Sequence, residues 1–203
     1  MHQLNFEHLN AFCNVWIEKA EQTDIEPLSG VFDKFFTLWV AYNRLYEESG
    51  RQLVSANSLI YRRFISNRGR RVYAPPPDKI SATKGVVTYC GLANLRRQIF
   101  DNPNSTTSIQ NIVESIASGM LYLHENYETG EPDHEKDSRL VERVNNGCVE
   151  SLLVLIYQAR CNLFHGQKSF TESQRGLLVE MSSILINVIH CLLESIEARV
   201  NDT

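Results

Sequence analysis

The chain has 203 residues, 43% hydrophobic and 22% charged, with a formal net charge of −4, an ordinary globular balance long enough for one domain with a sizeable core. No apolar stretch reads as approaching the roughly 20 residues of a membrane-spanning helix. The opening MHQLNFEHLNAFCNVW has no basic region ahead of an apolar block, so the expectation is a cytoplasmic protein with no secretory signal.

The pattern is helical nearly throughout. Leu9, Phe12, Cys13, Trp16 and Ile17 recur at spacings of three and four, which predicts an amphipathic N-terminal helix, interrupted by Pro27, Ser29 and Gly30. VFDKFFTLWVAYNRLYEESG then sets Phe32, Phe35, Phe36, Trp39, Val40, Tyr42 and Tyr46 on a wide apolar face, with Asn43 inside it and Gly50 as the expected stop.

Between Arg51 and Arg97 the charge is sharply segregated. Arg51, Arg62, Arg63, Arg68, Arg70, Arg71, Lys79, Lys84, Arg96 and Arg97 face one acid, Asp78, a local balance of +9 that leaves −13 for the remainder. Such a field attracts polyanions, RNA or DNA above all, with Arg62, Arg63, Arg68, Arg70 and Arg71 as the candidate contacts. The alternative is that the segment folds against the acidic remainder and is neutralised internally. Residues 66–78, SNRGRRVYAPPPD, lack periodicity and predict a surface loop with a stiff extended piece, and VVTY at 86–89 carries a weak strand signal.

A helix is expected from about Thr107 to Tyr127, then a polar loop at 129–137, then a helical region from Ser138 that Asn146 and Gly147 bend. Val149, Leu152, Leu153, Ile156, Leu163 and Phe164 form the next stripe, closed by Gly166. Thr171 and Gln174 make a capping box for a last helix whose apolar repeat runs from Leu177 to Ile196. The fold class expected is all-α, one domain over 1–203, ending in a long antiparallel helix hairpin turned at Gly166 to Phe170.

Cys13, Cys90, Cys148, Cys161 and Cys191 are odd in number and scattered, and read as reduced thiols. Cys161 and His165 share a helix face, but a structural zinc wants four ligands and no others lie nearby in sequence, so no metal and no cofactor are assigned. Gly-x-Ser-x-Gly, a phosphate-binding Gly-Lys-Ser/Thr loop and His-Glu-x-x-His do not occur, which removes support for serine hydrolase, NTPase and metalloprotease readings.

The stretch IYQARCNLFHGQKSF, 156–170, places two polar groups in an apolar helical run. Five residues of α-helix turn through about 500°, so His165 lies roughly 140° around from Arg160. Arg160 follows the apolar stripe and can snorkel, while His165 sits on the last turn, where a ring can swing outward. Both residues also fit ordinary helix-end trim, since cations are favoured at a C-terminus by the macrodipole.

Arg160, four intervening residues, His165, Gly166 and Lys168, followed by a turn and a long amphipathic helix, resemble the signature of the HEPN superfamily of all-helical domains. FDKFFTLWVAYNRLY, with Trp39, Asn43 and Tyr46, resembles that family's first core helix. The resemblance covers about 30–200, leaving 1–29 as a helical extension. Family members often carry Asn, Asp or His directly after the arginine, a slot held here by Cys161, with Asn162 one further on.

The resemblance implies a HEPN-like helical bundle and metal-independent RNA cleavage by a homodimer. Attack of a ribose 2′-OH on its phosphate needs a base, an acid and a cation for the phosphorane charge. It implies Arg160 and His165 as catalytic, the pair supplied twice by a two-fold interface, with supporting roles for Asn162 at the phosphate or the partner histidine and for Lys168 at the cleft rim. A toxin or defence role, with an antitoxin or other protein partner, follows from the same likeness. The rivals are a HEPN module that binds nucleic acid or protein without cleaving, and a structural helical adaptor.

Overall fold

The computed structural model describes residues 5–61, 77–119, 121–126, 128–164 and 171–201. Its regular structure is helical: α1 (Phe6–Glu21), α2 (Leu28–Ser55), α3 (Asp78–Ile80), a π turn (Ser81–Gly85), α4 (Val86–Cys90), α5 (Leu92–Ile99), α6 (Pro103–Ala117), α7 (His134–Asn145), α8 (Val149–Phe164), a 3-10 turn (Glu172–Gln174) and α9 (Arg175–Asn201). One isolated antiparallel bridge, Glu125 to Pro132, is the exception among the described residues. The all-α expectation holds, and VVTY forms α4 rather than a strand, because it continues the helical segment begun at Asp78.

Helix α2 is the central element. It buries Phe35, Leu38, Trp39, Ala41, Tyr42, Leu45, Tyr46 and Leu53 and packs against α1, α9 and the π turn. It runs through Gly50 to Ser55 instead of stopping there, because Gly50 lies on the buried face, where packing outweighs its low helix propensity. The chain leaves α2 through Asn57, at φ 57°.

Helix α1 is capped by the Asn5 side chain, which accepts from the His8 N–H at 3.0 Å, and lays Leu9, Cys13, Ile17 and Ala20 on α2. Its other apolar residues turn outward: Phe12 is 39% exposed and Trp16 half-buried, so the buried stripe is narrower than the apolar pattern.

Two boundaries follow caps that the hydrophobic repeat does not register. Helix α6 begins at Pro103 behind Asn102, whose side chain accepts from the Asn104 and Ser105 N–H groups, and it ends before Gly119, at φ 74°. It therefore starts and stops earlier than the 107–127 expected. Helix α7 is capped by Asp133, not begun at Ser138, and Gly147, at φ 75°, separates it from α8 rather than bending one helix.

The capping box at Thr171 and Gln174 is present, the Thr171 N–H donating to the Gln174 side chain at 3.2 Å. Helix α9 buries the apolar repeat from Leu177 to Ile196 as expected. Glu172–Asn201 has the length and mean hydropathy, 1.8, of a membrane span, contrary to the first impression of the sequence. With 61% of that window buried inside the fold, it has the character of a core helix. Its main partners are α2, α6 and α5, whereas α8 packs chiefly on α7 and the π turn. The two last helices share a small apolar pocket lined by Ala159, Leu163, Leu177 and Leu178, and the turn expected at Gly166 to Phe170 lies outside the described residues.

Gly30, in the first turn of α2, shows how closely the chain approaches itself. A Cβ there would overlap the Asp24 carbonyl oxygen, which belongs to backbone and cannot swing aside. Gly30→Ala is expected to destabilise the fold by about 1–3 kcal/mol, read as a lower urea midpoint at unchanged m-value.

Candidate active site

The two stretches singled out in the sequence meet. Trp39 of α2 is 3% exposed, and the Arg160 guanidinium of α8 lies over its ring, 5.5 Å from the centroid. Trp39 is in edge-to-face contact with Tyr42, Tyr46 and Tyr157 at 5.2, 6.2 and 6.0 Å. Such pairs add about 0.5–1.5 kcal/mol each beyond burial, and the cation over the indole adds a comparable amount. Among the described residues the Trp39 indole N–H has no acceptor.

A third element closes the cluster. Asp78, the first residue of α3, accepts from the Tyr46 hydroxyl at 2.6 Å on one carboxylate oxygen and from the Tyr157 hydroxyl at 2.8 Å on the other. The Tyr46 hydroxyl also contacts the Asn43 side-chain oxygen. Burial raises both phenols well above the ordinary tyrosine value, and donation to Asp78 raises them further, while Arg160 draws Tyr46 partly back. Both hydroxyls therefore stay protonated and act as donors. Asp78 and Lys79 are exposed and Tyr157, Arg160 and Cys161 are partly so, which opens the cluster to solvent on one side. Lys79 is lowered from the ordinary lysine value by burial and then by the charge of Lys136, with Cys161 opposing.

Arg160 thus joins the aromatic cluster of α2. Asn162 does not join it. Two residues of helix rotate by about 200°, and the Asn162 amide is 5% exposed, donating to the Leu123 carbonyl at 2.7 Å while accepting from Gln158 at 2.8 Å. It ties the 121–126 segment to α8, a structural task. His165, Lys168, Arg62, Arg63, Arg68, Arg70 and Arg71 lie outside the described residues. Of the other cations in the basic stretch, Arg51 pairs with Glu47 and Glu48, whereas Lys79, Lys84, Arg96 and Arg97 form no ion pair among the described residues. Among the described residues no three His, Cys, Asp or Glu side chains gather in a metal-holding group.

Asp78 and Tyr157 belong to this cluster, and sequence reasoning passed over both. Asp78 had entered only as the lone acid of the basic stretch, and that isolation was the available signal. Tyr157, three residues before Arg160, was hidden in the apolar run.

No family model, curated protein or solved structure matches the chain.

Below Asn162 a second buried network completes the scaffold. His124 Nδ1 lies 2.6 Å from one oxygen of Asp137, and the other oxygen accepts from the Leu123 and His124 N–H groups at 2.6 and 3.2 Å. Burial works to raise the Asp137 carboxyl, but the hydrogen bonds from His124 and the two backbone amides outweigh it and hold the group below its ordinary 3.8. A depressed folded value means that this contribution is fully present above the unfolded value and is lost as pH falls through the folded one. Acid unfolding of the wild type below about pH 4 should therefore be steeper than that of Asp137→Asn. At neutral pH Asp137→Asn should be less stable by on the order of 3 kcal/mol. Urea titrations across that pH range measure both.

Proposed function

We propose that the chain is a metal-independent endoribonuclease of HEPN type, acting as a two-fold dimer in a toxin or defence setting. The observation that carries this reading is the meeting of Trp39, Asn43 and Tyr46 with Arg160 in one cluster, although more than a hundred residues separate them in sequence. Helix-end trim would require no such convergence.

In this reading Arg160 is held by the Trp39 face and binds the scissile phosphate with its planar fork, taking the charge that develops on the phosphorane. His165, five residues on, moves the proton, and a two-fold axis supplies the second imidazole that the reaction needs. Asp78, bound on both oxygens by tyrosine hydroxyls, keeps its carboxylate turned to α2 and α8 rather than to the phosphate. Tyr61 and Pro77 flank the arginine-bearing stretch 62–76. Tyr61 packs its hydroxyl near Ser81 at 3.4 Å, and Pro77 adjoins Asp78, so the described residues on either side of this stretch both touch the segment that carries Asp78.

The deciding measurement is RNA cleavage by the purified full chain in the presence of EDTA. His165→Ala should retain the fold and lose about 100-fold or more in rate, the usual scale for losing an acid or base. Arg160→Ala should lose turnover and some RNA affinity. Products should end in 2′,3′-cyclic phosphate and 5′-hydroxyl. Activity that survives His165→Ala, or that disappears with EDTA, overturns the assignment, and tight RNA binding without cleavage selects the non-catalytic module.

The basic stretch gives an independent readout. Reversing Arg68, Arg70 and Arg71 to Glu should flatten the log–log salt dependence of single-stranded RNA binding by about 0.7 per phosphate contact removed. An unchanged slope means that these arginines do not touch the backbone.

A further inference from the structure

In helix α9 the apolar repeat is interrupted by two adjacent serines, Ser182 and Ser183, with Val179 and Ile186 one turn away on either side. These positions share one strip of the helix, at spacings of three and four. Opposite them α2 brings Val31 and Lys34, one turn apart, and the linker between α1 and α2 brings Ile25. Serine is too short to fill the space between two helices, and a cavity of about 200 Å³ remains. The apolar pocket between α8 and α9 measures about 20 Å³, room for a single water. A cavity of about 150 Å³ already holds a benzene ring.

The walls are held in place by the fold itself. The Arg175 guanidinium donates to the Ile25 carbonyl at 2.7 Å and to the Glu26 carbonyl at 3.1 Å, and is itself fixed by Glu172 at 2.7 Å. At the start of α2 the Asp24 carbonyl lies so close to Gly30 that no side chain fits between them. Ile25 therefore keeps its place beside α2 and α9. It is 36% exposed and Lys34 is half-buried, so the cavity opens to solvent on their side.

The polar groups are few and unequal. Ser182 is buried, and its hydroxyl donates to the Leu178 carbonyl at 2.7 Å, so it needs no ligand. Among the described residues the Lys34 ammonium forms no ion pair and the Ser183 hydroxyl makes no hydrogen bond. One cation and one hydroxyl donor thus stand in a lining made otherwise of aliphatic side chains.

We propose that this cavity binds a small amphipathic monocarboxylate, an aromatic or short aliphatic acid of about eight or nine non-hydrogen atoms. The apolar body fills the space between Val31, Val179 and Ile186, and the carboxylate faces Lys34 and Ser183. A single ammonium balances a single negative charge, and the two donors serve the two carboxylate oxygens. A phosphate monoester brings up to two charges and three acceptor oxygens, more than these donors satisfy. A neutral hydrocarbon would desolvate the ammonium and leave it without a counter-ion. No residue of the cavity belongs to the Arg160 cluster, so the inference does not depend on the ribonuclease reading.

The test titrates benzoate and hexanoate into the full chain carrying isotope-labelled isoleucine and valine methyls, followed by NMR. Saturable shifts should appear at Ile25, Val31, Val179 and Ile186, with a dissociation constant on the order of 0.1–1 mM. On the same wild-type protein, benzyl alcohol and hexanol, which keep the apolar body and lose the charge, should bind about 10-fold or more weakly. Lys34→Met keeps the length of the side chain without its charge, and should bring the acids down to the level of the alcohols. Ser183→Leu fills the cavity and should abolish the shifts for both. Shifts that fail to saturate by about 10 mM, that map outside the cavity, or that are as strong for the alcohols as for the acids overturn the proposal. All three outcomes are read on the wild type, so they hold even if a variant folds poorly.

Discussion

A phenol hydroxyl taken out of water costs about 1–3 kcal/mol unless it finds an acceptor, and helix α2 buries two of them. Tyr42 and Tyr46 are inaccessible to solvent, and α2 offers the Tyr46 hydroxyl only its own Asn43. The segment that follows the basic stretch supplies the rest: the Ala82 carbonyl in the π turn accepts from Tyr42, and the Asp78 carboxylate from Tyr46. Satisfying these hydroxyls brings Asp78–Gly85 against α2, and Tyr157 then ties the same carboxylate to α8. The solvent-facing cluster around Arg160 is thus a product of core hydrogen bonding.

Charge is organised by the same contact. The stretch from Arg51 to Arg97 contains one carboxylate, and that carboxylate is committed to two tyrosines. A free acid there would fold back on a neighbouring arginine and cancel part of its field. Held by neutral donors, Asp78 keeps its own charge at one fixed place, and among the described residues Lys79, beside it, forms no ion pair with it or with another carboxylate.

What could be read from the sequence divides along physical lines. Helices α1, α2, α8 and α9 were legible because each carries an apolar repeat long enough to fix its period, and the capping box at Thr171 because it is local. Boundaries at Asn102, Asp133 and Gly147 went astray where a hydrophobic repeat was followed in place of the cap beside it. Arg160 stood out as a candidate through its spacing to His165. The role of Asn162 was not, because its partners, Gln158 and the Leu123 carbonyl, are fixed by helix rotation and tertiary packing. Asp78 was invisible for a related reason: its importance comes from two tyrosines 32 and 79 positions away.

The π turn at Ser81–Gly85 has a consequence for how this chain can vary in length. A π turn holds one more residue than the α-helical turn it replaces. Removing one residue there would restore a regular helix with its two ends still in phase, whereas any other insertion or deletion would rotate Asp78 by about 100° relative to the end of α4. One end of the segment could then keep its contact only by giving up the other. Gly85 tightens the constraint, since a side chain at that position would press on the Tyr61 hydroxyl at 2.7 Å. Insertions and deletions should therefore be tolerated in the polar loop near Thr129 and Gly130, yet be selected against in the five helical residues Ser81–Gly85.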